Sequence, residues 1–300
     1  MMNSLNKQIR CKKNTMNIKK GVQLINGLRS NKNIFINTGV VHCEKEIPGK
    51  VMLEYDVDAY KPKHDWRPLN QEEKKLLIGN IERETSYSST ILLNHLPDHL
   101  ISLLKKINVG GYVKYVDVLN EFKNQSESLR EFQNGINKIL MSYAMKNTLP
   151  EFHRIVFNPP EIETLTYYME EQKLIFVGMH IDRSTKFDLS NVETSKNRLC
   201  INIGKEDRIL YFVNLTLNQI VELLRKKKEI DISHVTINNI AEIFFKEYPE
   251  YPVVKVVQRP YDYYIAPTDN VLHDGSSLGK KYHDICLVWT GYFNTYFEKE

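Results

Sequence analysis

The spacing of apolar residues divides the chain into a stretch of helical period followed by a stretch of strand period. Gln71 to Thr85 opens with charged residues and carries Leu76, Leu77 and Ile81 on one helical face. Pro97-Asp98 starts a second helix through Leu100, Leu103, Leu104 and Ile107, which Gly110-Gly111 ends. A third helical stretch runs from about Val116 to Lys146, with Phe122, Leu129, Phe132, Ile136 and Leu140 in its apolar set and a break near Asn124–Ser128. After Pro159-Pro160 the period shortens to two. Glu163–Met169 and Lys173–Ile181 predict a hairpin turning at Glu170-Glu171-Gln172. Arg198–Ile203 and Arg208–Val213 predict another, joined by Gly204–Asp207. Amphipathic helices near 218–228 and 236–247 then precede strands at Val253–Gln258, Tyr263–Ala266, Val271–His273 and Ile285–Tyr292.

No internal repeat and no long linker interrupts this pattern, so residues 31–300 read as one α+β domain. Within it a helical layer spans about 70–147 and a β-rich core about 150–295, with a two-helix insert at about 216–248. Composition changes the picture at one place. Residues 1–43 contain no Asp or Glu and eight Lys or Arg, while the whole chain has a net charge of +4. Residues 1–30 are therefore expected to be a basic, flexible arm. An apolar share of 42% and a charged share of 26% exclude collagen-like and wholly disordered chains. No apolar run is long enough for a membrane helix, and there is no signal-peptide core, so the expected location is cytoplasmic. Cys11, Cys43, Cys200 and Cys286 are far apart, which excludes a zinc ribbon built on paired cysteines.

Several chemical signatures fail on inspection. Gly275–Lys281 resembles a phosphate loop but has too few residues between its glycines and Lys281 where a hydroxyl should hold Mg²⁺. His42-Cys43-Glu44, His64-Asp65 and His283-Asp284 read as surface or structural pairs, and Trp66, Tyr263 and Tyr264 as core aromatics at strand spacing. One constellation survives. His180 and Asp182 end an apolar strand two residues apart, so the pleat puts both side chains on one face. Ninety-three residues after His180, the turn Pro267-Thr268-Asp269-Asn270 leads into a strand carrying His273. Two imidazoles and one carboxylate on one face of an ion, with the opposite positions open, suit Fe(II) that must also bind a co-substrate and O₂.

Across about 150–295 the layout, with His180, Asp182 and His273 as its sharp part, resembles the Fe(II)/2-oxoglutarate-dependent oxygenases. The resemblance implies a double-stranded β-helix (jelly-roll, cupin-like) core in the C-terminal half under a helical N-terminal layer. It makes His180, Asp182 and His273 the iron ligands, with Fe(II) as cofactor and 2-oxoglutarate as co-substrate. The chain departs from the family on its last strand. Where many members carry an Arg to grip 2-oxoglutarate, this chain has His283, and no Arg follows Arg259. Arg259 and then Arg198 become the candidate anchors, followed by Lys280 and Lys281.

The expected function is thus hydroxylation of a C–H bond in a small molecule, an amino acid or natural-product intermediate, with O₂ as oxidant. Asp182 fills the coordination position that a halide would need. The expected partners include no membrane and no nucleic acid. The rival from another class is a non-catalytic β-barrel binding module using the basic arm on nucleic acid.

Overall fold

Helix α2 (Asp98–Ile107) buries Leu100, Ile101, Leu104 and Ile107 on one face, then stops at Asn108, whose left-handed backbone (φ 50°) returns its N–H to Leu104. α4 (Ser126–Tyr143) buries Phe132, Ile136, Leu140 and Tyr143, one per turn. Together with α3 (Tyr115–Asn124) these helices cover the outer face of a β-sheet, where Leu199, Ile201, Ile265 and Leu287 meet them. Truncating the fully buried Phe132 to Ala in such a layer costs about 3–5 kcal/mol.

The computed structural model describes residues 16–28, 31–79, 86–184 and 186–294. Among them the strands of the first half are β1 (Gln23–Asn26), β2 (Ile34–Ile36), β3 (Val40–His42), β4 (Leu53–Pro62), β5 (Arg67–Pro68) and β6 (Thr90–His95). The second half supplies β7 (Glu151–Asn158), β8 (Tyr167–Glu170), β9 (Lys173–Gly178), β10 (Asn197–Asn202) and β11 (Arg208–Thr216). β12 (Val254–Gln258), β13 (Asp262–Ala266), β14 (Val271–Ser276) and β15 (Asp284–Gly291) complete it. The remaining α-helices are α1 (Gln71–Leu77), α5 (Leu217–Leu224) and α6 (Ile240–Glu247).

Three sheets form. One has the order β1-β6-β13-β10-β15-β7, a second β14-β11-β12-β2-β5, and a third β3-β4-β9-β8. Strand alternation explains the layers. In β10 the odd residues Leu199 and Ile201 face the helices, while Cys200 faces inward beside Tyr264 and Val288. The second sheet opposes that inner face with Leu210, Phe212, Val254 and Val256. Its own outer face carries Tyr211 and Val213 against α5 and α6, which contribute Ile220, Leu224, Phe244 and Phe245. The result is a mixed α+β fold in which two sheets stack with helices on both outer sides. No helix among the described residues is long and apolar enough to cross a membrane.

Four expectations need correction. Gln23–Asn26 does not belong to a flexible arm: it pairs in parallel with β6, and Ile18, Val22, Leu24 and Ile25 are buried. Residues 1–15 and 29–30 of the expected arm lie outside the described residues. The predicted helix over 71–85 covers Gln71–Leu77, ended by Ile78 in extended backbone, and residues 80–85 lie outside the described set. The helical layer is not purely helical, because β6 runs through it into the first sheet. Finally, β10 and β11 are adjacent in sequence but lie in different sheets; β10 pairs with β13 and β15, β11 with β12 and β14. Both strands are buried on both faces along most of their length, so periodicity alone cannot say whether they pair or stack.

Candidate metal centre and its cavity

Gly178 ends β9 with a φ of +65°, and a Cβ there would lie 2.3 Å from the Tyr60 carbonyl oxygen. Glycine is what lets the chain leave β9 this close to β4. Met179 N–H then donates to the same carbonyl at 2.8 Å, and His180 meets β14. His180 N–H donates to the His273 carbonyl at 3.0 Å, and His273 N–H returns the bond at 2.8 Å. Asp182 N–H donates to the Thr268 carbonyl at 3.0 Å. A short antiparallel bridge thereby brings together three side chains that the sequence separates, as expected from the His-x-Asp and distal His pattern.

Their ligand atoms all lie within 4.8 Å of one another. Asp182 Oδ2 is 3.3 Å from His273 Nε2, and Asp182 Oδ1 is 3.9 Å from His180 Nε2. Two donors about 2.1 Å from one metal and at right angles stand about 3 Å apart, so these separations are close to a shared coordination sphere. Each imidazole has its other nitrogen engaged. His180 Nδ1 is 2.8 Å from the Gly178 carbonyl and His273 Nδ1 is 3.0 Å from the Val271 carbonyl. Carbonyls only accept, so each Nδ1 donates and each Nε2 presents its lone pair in the neutral ring. His180 Nε2 is buried without a hydrogen-bond partner. A buried, unpartnered lone pair facing a carboxylate and a second imidazole fits a divalent cation better than it fits a satisfied core.

The electrostatics follow from burial and from Asp182. Burial, reinforced by His273, pushes the His180 imidazole down to about 4, leaving it neutral at ordinary pH. Burial alone would lift the Asp182 carboxyl, yet His273, Arg198 and His180 together hold it well below the usual carboxylate range. Burial also works against charge on His273, but Asp182 outweighs it and raises the ring. Arg198 fixes the carboxylate from behind: its Nε is 3.0 Å from Asp182 Oδ2, and its Nη2 donates to Ser184 Oγ at 3.3 Å. Ser184 in turn donates through N–H and Oγ–H to Asp269 Oδ1 at 3.1 and 3.0 Å.

The triad opens on a cavity of about 520 Å³ between the two stacked sheets. Three arginines line it: Arg154 from β7, Arg198 from β10 and Arg208 from β11. Arg208 is almost fully buried and pairs with Asp284, which also accepts from Asn158 Nδ2 at 2.9 Å. Burial disfavours its charge, but Asp284 more than restores it. Its Nε is buried without a partner. The residues that the sequence offers as anchors fall elsewhere, except one. Arg198 lines the cavity, but Arg259 is exposed in the turn between β12 and β13, and neither Lys280 nor Lys281 lines the cavity. Tyr264 lines the cavity, Tyr263 belongs to the helix-covered core, and Trp66 stacks on Tyr211 outside it. Asp274, beside His273 in β14, accepts from Gly275 N–H at 2.7 Å and from Leu165 N–H at 3.2 Å.

No protein-family model and no curated protein matches the chain. The matching solved structures include Kdo hydroxylase KdoO in complex with succinate and Fe(III), at 15% identity and a TM-score of 0.35, over 70% of this chain and 81% of that one. KdoO with alphaketoglutarate and Fe(III) matches at 16% identity and a TM-score of 0.37 over the same shares. KdoO is a non-heme Fe(II) alphaketoglutarate dependent dioxygenase.

Proposed function

We propose that this chain is an Fe(II)- and 2-oxoglutarate-dependent oxygenase that hydroxylates a C–H bond of a small molecule. The carrying observation is the triad: two imidazoles with their Nδ1 atoms tied to backbone carbonyls and their Nε2 atoms facing one carboxylate. His180, Asp182 and His273 would hold the iron, a set without thiolates that leaves positions for co-substrate and O₂. The sheet orders support a double-stranded β-helix, with β7-β15-β10-β13 opposed to the His180 bridge, β14, β11 and β12. Bound iron with 2-oxoglutarate and O₂ supplies the oxidation: one oxygen atom enters the substrate C–H bond, the other enters succinate, and CO₂ leaves.

The residues of the chain divide the work. Arg198 keeps Asp182 ionised and oriented, so the carboxylate is a ligand at ordinary pH. Arg208 is the better support for 2-oxoglutarate than the exposed Arg259. Phe212 lies opposite His273, and Arg208 is four residues along β11 on the same face, about 13 Å away along the strand. Arg208 would hold the carboxylate of 2-oxoglutarate remote from the metal ligands. The guanidinium offers a planar fork in a site where an unpaired carboxylate is costly.

The test is optical. Anaerobic addition of Fe(II) and then 2-oxoglutarate should produce a weak visible charge-transfer band in the wild type and none in His273→Ala. Absence of the band in wild-type protein that has bound iron would favour a non-catalytic β-barrel module.

A further inference from the structure

Three guanidinium groups enter one cavity, and two already have carboxylate partners. Arg198 is paired with Asp182 and Arg208 with Asp284. The Arg154 side chain makes no ion pair and no hydrogen bond to any described residue; Arg154 is exposed and lines the cavity. Its placement is set by β7, the edge strand of the six-stranded sheet, whose residues Arg154 to Asn158 all line the cavity. The register slips beside it: Arg154 stands opposite Val288 and Phe152 opposite Trp289, leaving His153 with no opposite residue. Such bulges at sheet edges re-aim side chains next to sites.

The same opening carries aromatic side chains from two further elements. Tyr115 of α3 is 44% exposed and Tyr167 of β8 is 41% exposed, and both line the cavity with Phe157. Exposed aromatics and one guanidinium without a carboxylate partner, lining the same opening, offer an apolar wall and a single orienting charge. The burial of Arg208 and the exposure of Arg154 separate two anion positions, one deep and one at the mouth. Resting on the oxygenase reading, we propose that the substrate is an oxyanion-bearing small molecule. Arg154 receives its carboxylate or phosphate, and Tyr115 and Tyr167 flank its flat or apolar body.

The experiment uses the full chain with Zn(II) in place of iron and saturating 2-oxoglutarate, so that nothing turns over. Benzoate, phenyl phosphate and neutral benzamide are titrated by ligand-observed NMR. The better of the two anions should bind at least tenfold more tightly than benzamide, and whichever wins distinguishes a carboxylate from a phosphate substrate. Arg154→Gln should bring that anion to within about twofold of benzamide. Arg154→Lys should retain most of the preference, and Arg259→Gln all of it. Equal binding of anions and benzamide by the wild type, or a preference that survives Arg154→Gln, overturns the proposal. The titrations are repeated without metal and 2-oxoglutarate. Failure of the chain to bind those two would then count against the oxygenase reading, while the effect of Arg154→Gln still decides this one.

Discussion

Two regions of the cavity are built from the same pair of side chains and are left with opposite needs. At the triad, Asp182 meets Arg198 through Nε at 3.0 Å, and its oxygens also face two imidazoles. Around β11, Asp284 takes both Arg208 and Asn158 on one oxygen, with no imidazole in the group. Among the described residues, the buried atoms without a hydrogen-bond partner include acceptors, His180 Nε2 and Asp274 Oδ2, in the first region and a donor, Arg208 Nε, in the second. An acceptor next to a carboxylate calls for a cation; a donor on a buried guanidinium calls for an anion. The two regions therefore suit the two components of one oxidation, a metal and a dicarboxylate.

The most severe way to break this comparison is to remove an imidazole. His180→Ala or His273→Ala should abolish stoichiometric binding of Fe(II) or Co(II) in equilibrium dialysis, since two remaining donors hold a labile divalent ion poorly. Retention of one metal per chain in both variants would place the metal elsewhere. The corresponding change in the other region is Arg208→Gln. It should leave metal binding intact and weaken 2-oxoglutarate at least tenfold in a calorimetric titration, the loss of a charge-assisted contact of about 1.5–3 kcal/mol. An unchanged affinity with a folded variant would return the anchor to Arg198.

The different legibility of the two regions has a physical cause. His180 and Asp182 announce themselves because a two-residue spacing at the end of an apolar strand fixes a shared face, and His273 follows a turn in a strand-rich stretch. Arg208 offers no such signal: it follows the Gly204–Asp207 turn, where a charged residue usually meets water. Its burial depends on Asp284, 76 residues later. Arg154 is hidden for a related reason. β7 is an edge strand with an exposed first half and a bulge, so its alternation is blurred. The helices α2, α3 and α4 are readable almost to the residue, since each repeats an apolar face over several turns. β1 and β2 are not, because strands of four and three residues are buried by what packs on them and carry too few positions to show a period.

A gentler change sharpens the triad side. Arg198 is not itself a metal donor, but its Nε holds Asp182 through Oδ2 at 3.0 Å. Arg198→Ala should weaken Co(II) binding by about tenfold or more, the usual effect of losing a group that orients a ligand. The pH dependence of the metal-free protein carries the same information. The folded-state pKa of Asp182 is depressed, so its contribution to stability is fully present above the unfolded carboxyl value of about 4 and is lost as pH falls through the lower folded value. Urea unfolding of Asp182→Asn should therefore show a shallower acid decline than wild type below about pH 4. A parallel decline in both would mean that other carboxylates dominate the acid limb.

The smallest expected effect is the most discriminating for the anion side. Arg259 is exposed; its backbone N–H donates to Asp262 Oδ2 at 2.9 Å, a bond that survives loss of the side chain. Surface charges away from a site contribute within about 0.5 kcal/mol, so Arg259→Ala should change 2-oxoglutarate affinity and urea stability by no more than about twofold. The contrast with Arg208→Gln then isolates what burial does to an arginine. In water the guanidinium is already solvated and a dicarboxylate gains little by meeting it. Between two sheets, with Nε unpartnered, the same group has a donor to satisfy, and a carboxylate that reaches it replaces a deficit as well as adding a contact. A tenfold loss in Arg259→Ala, with Arg208→Gln unaffected, would reverse this order and require the turn between β12 and β13 to fold over the cavity in solution.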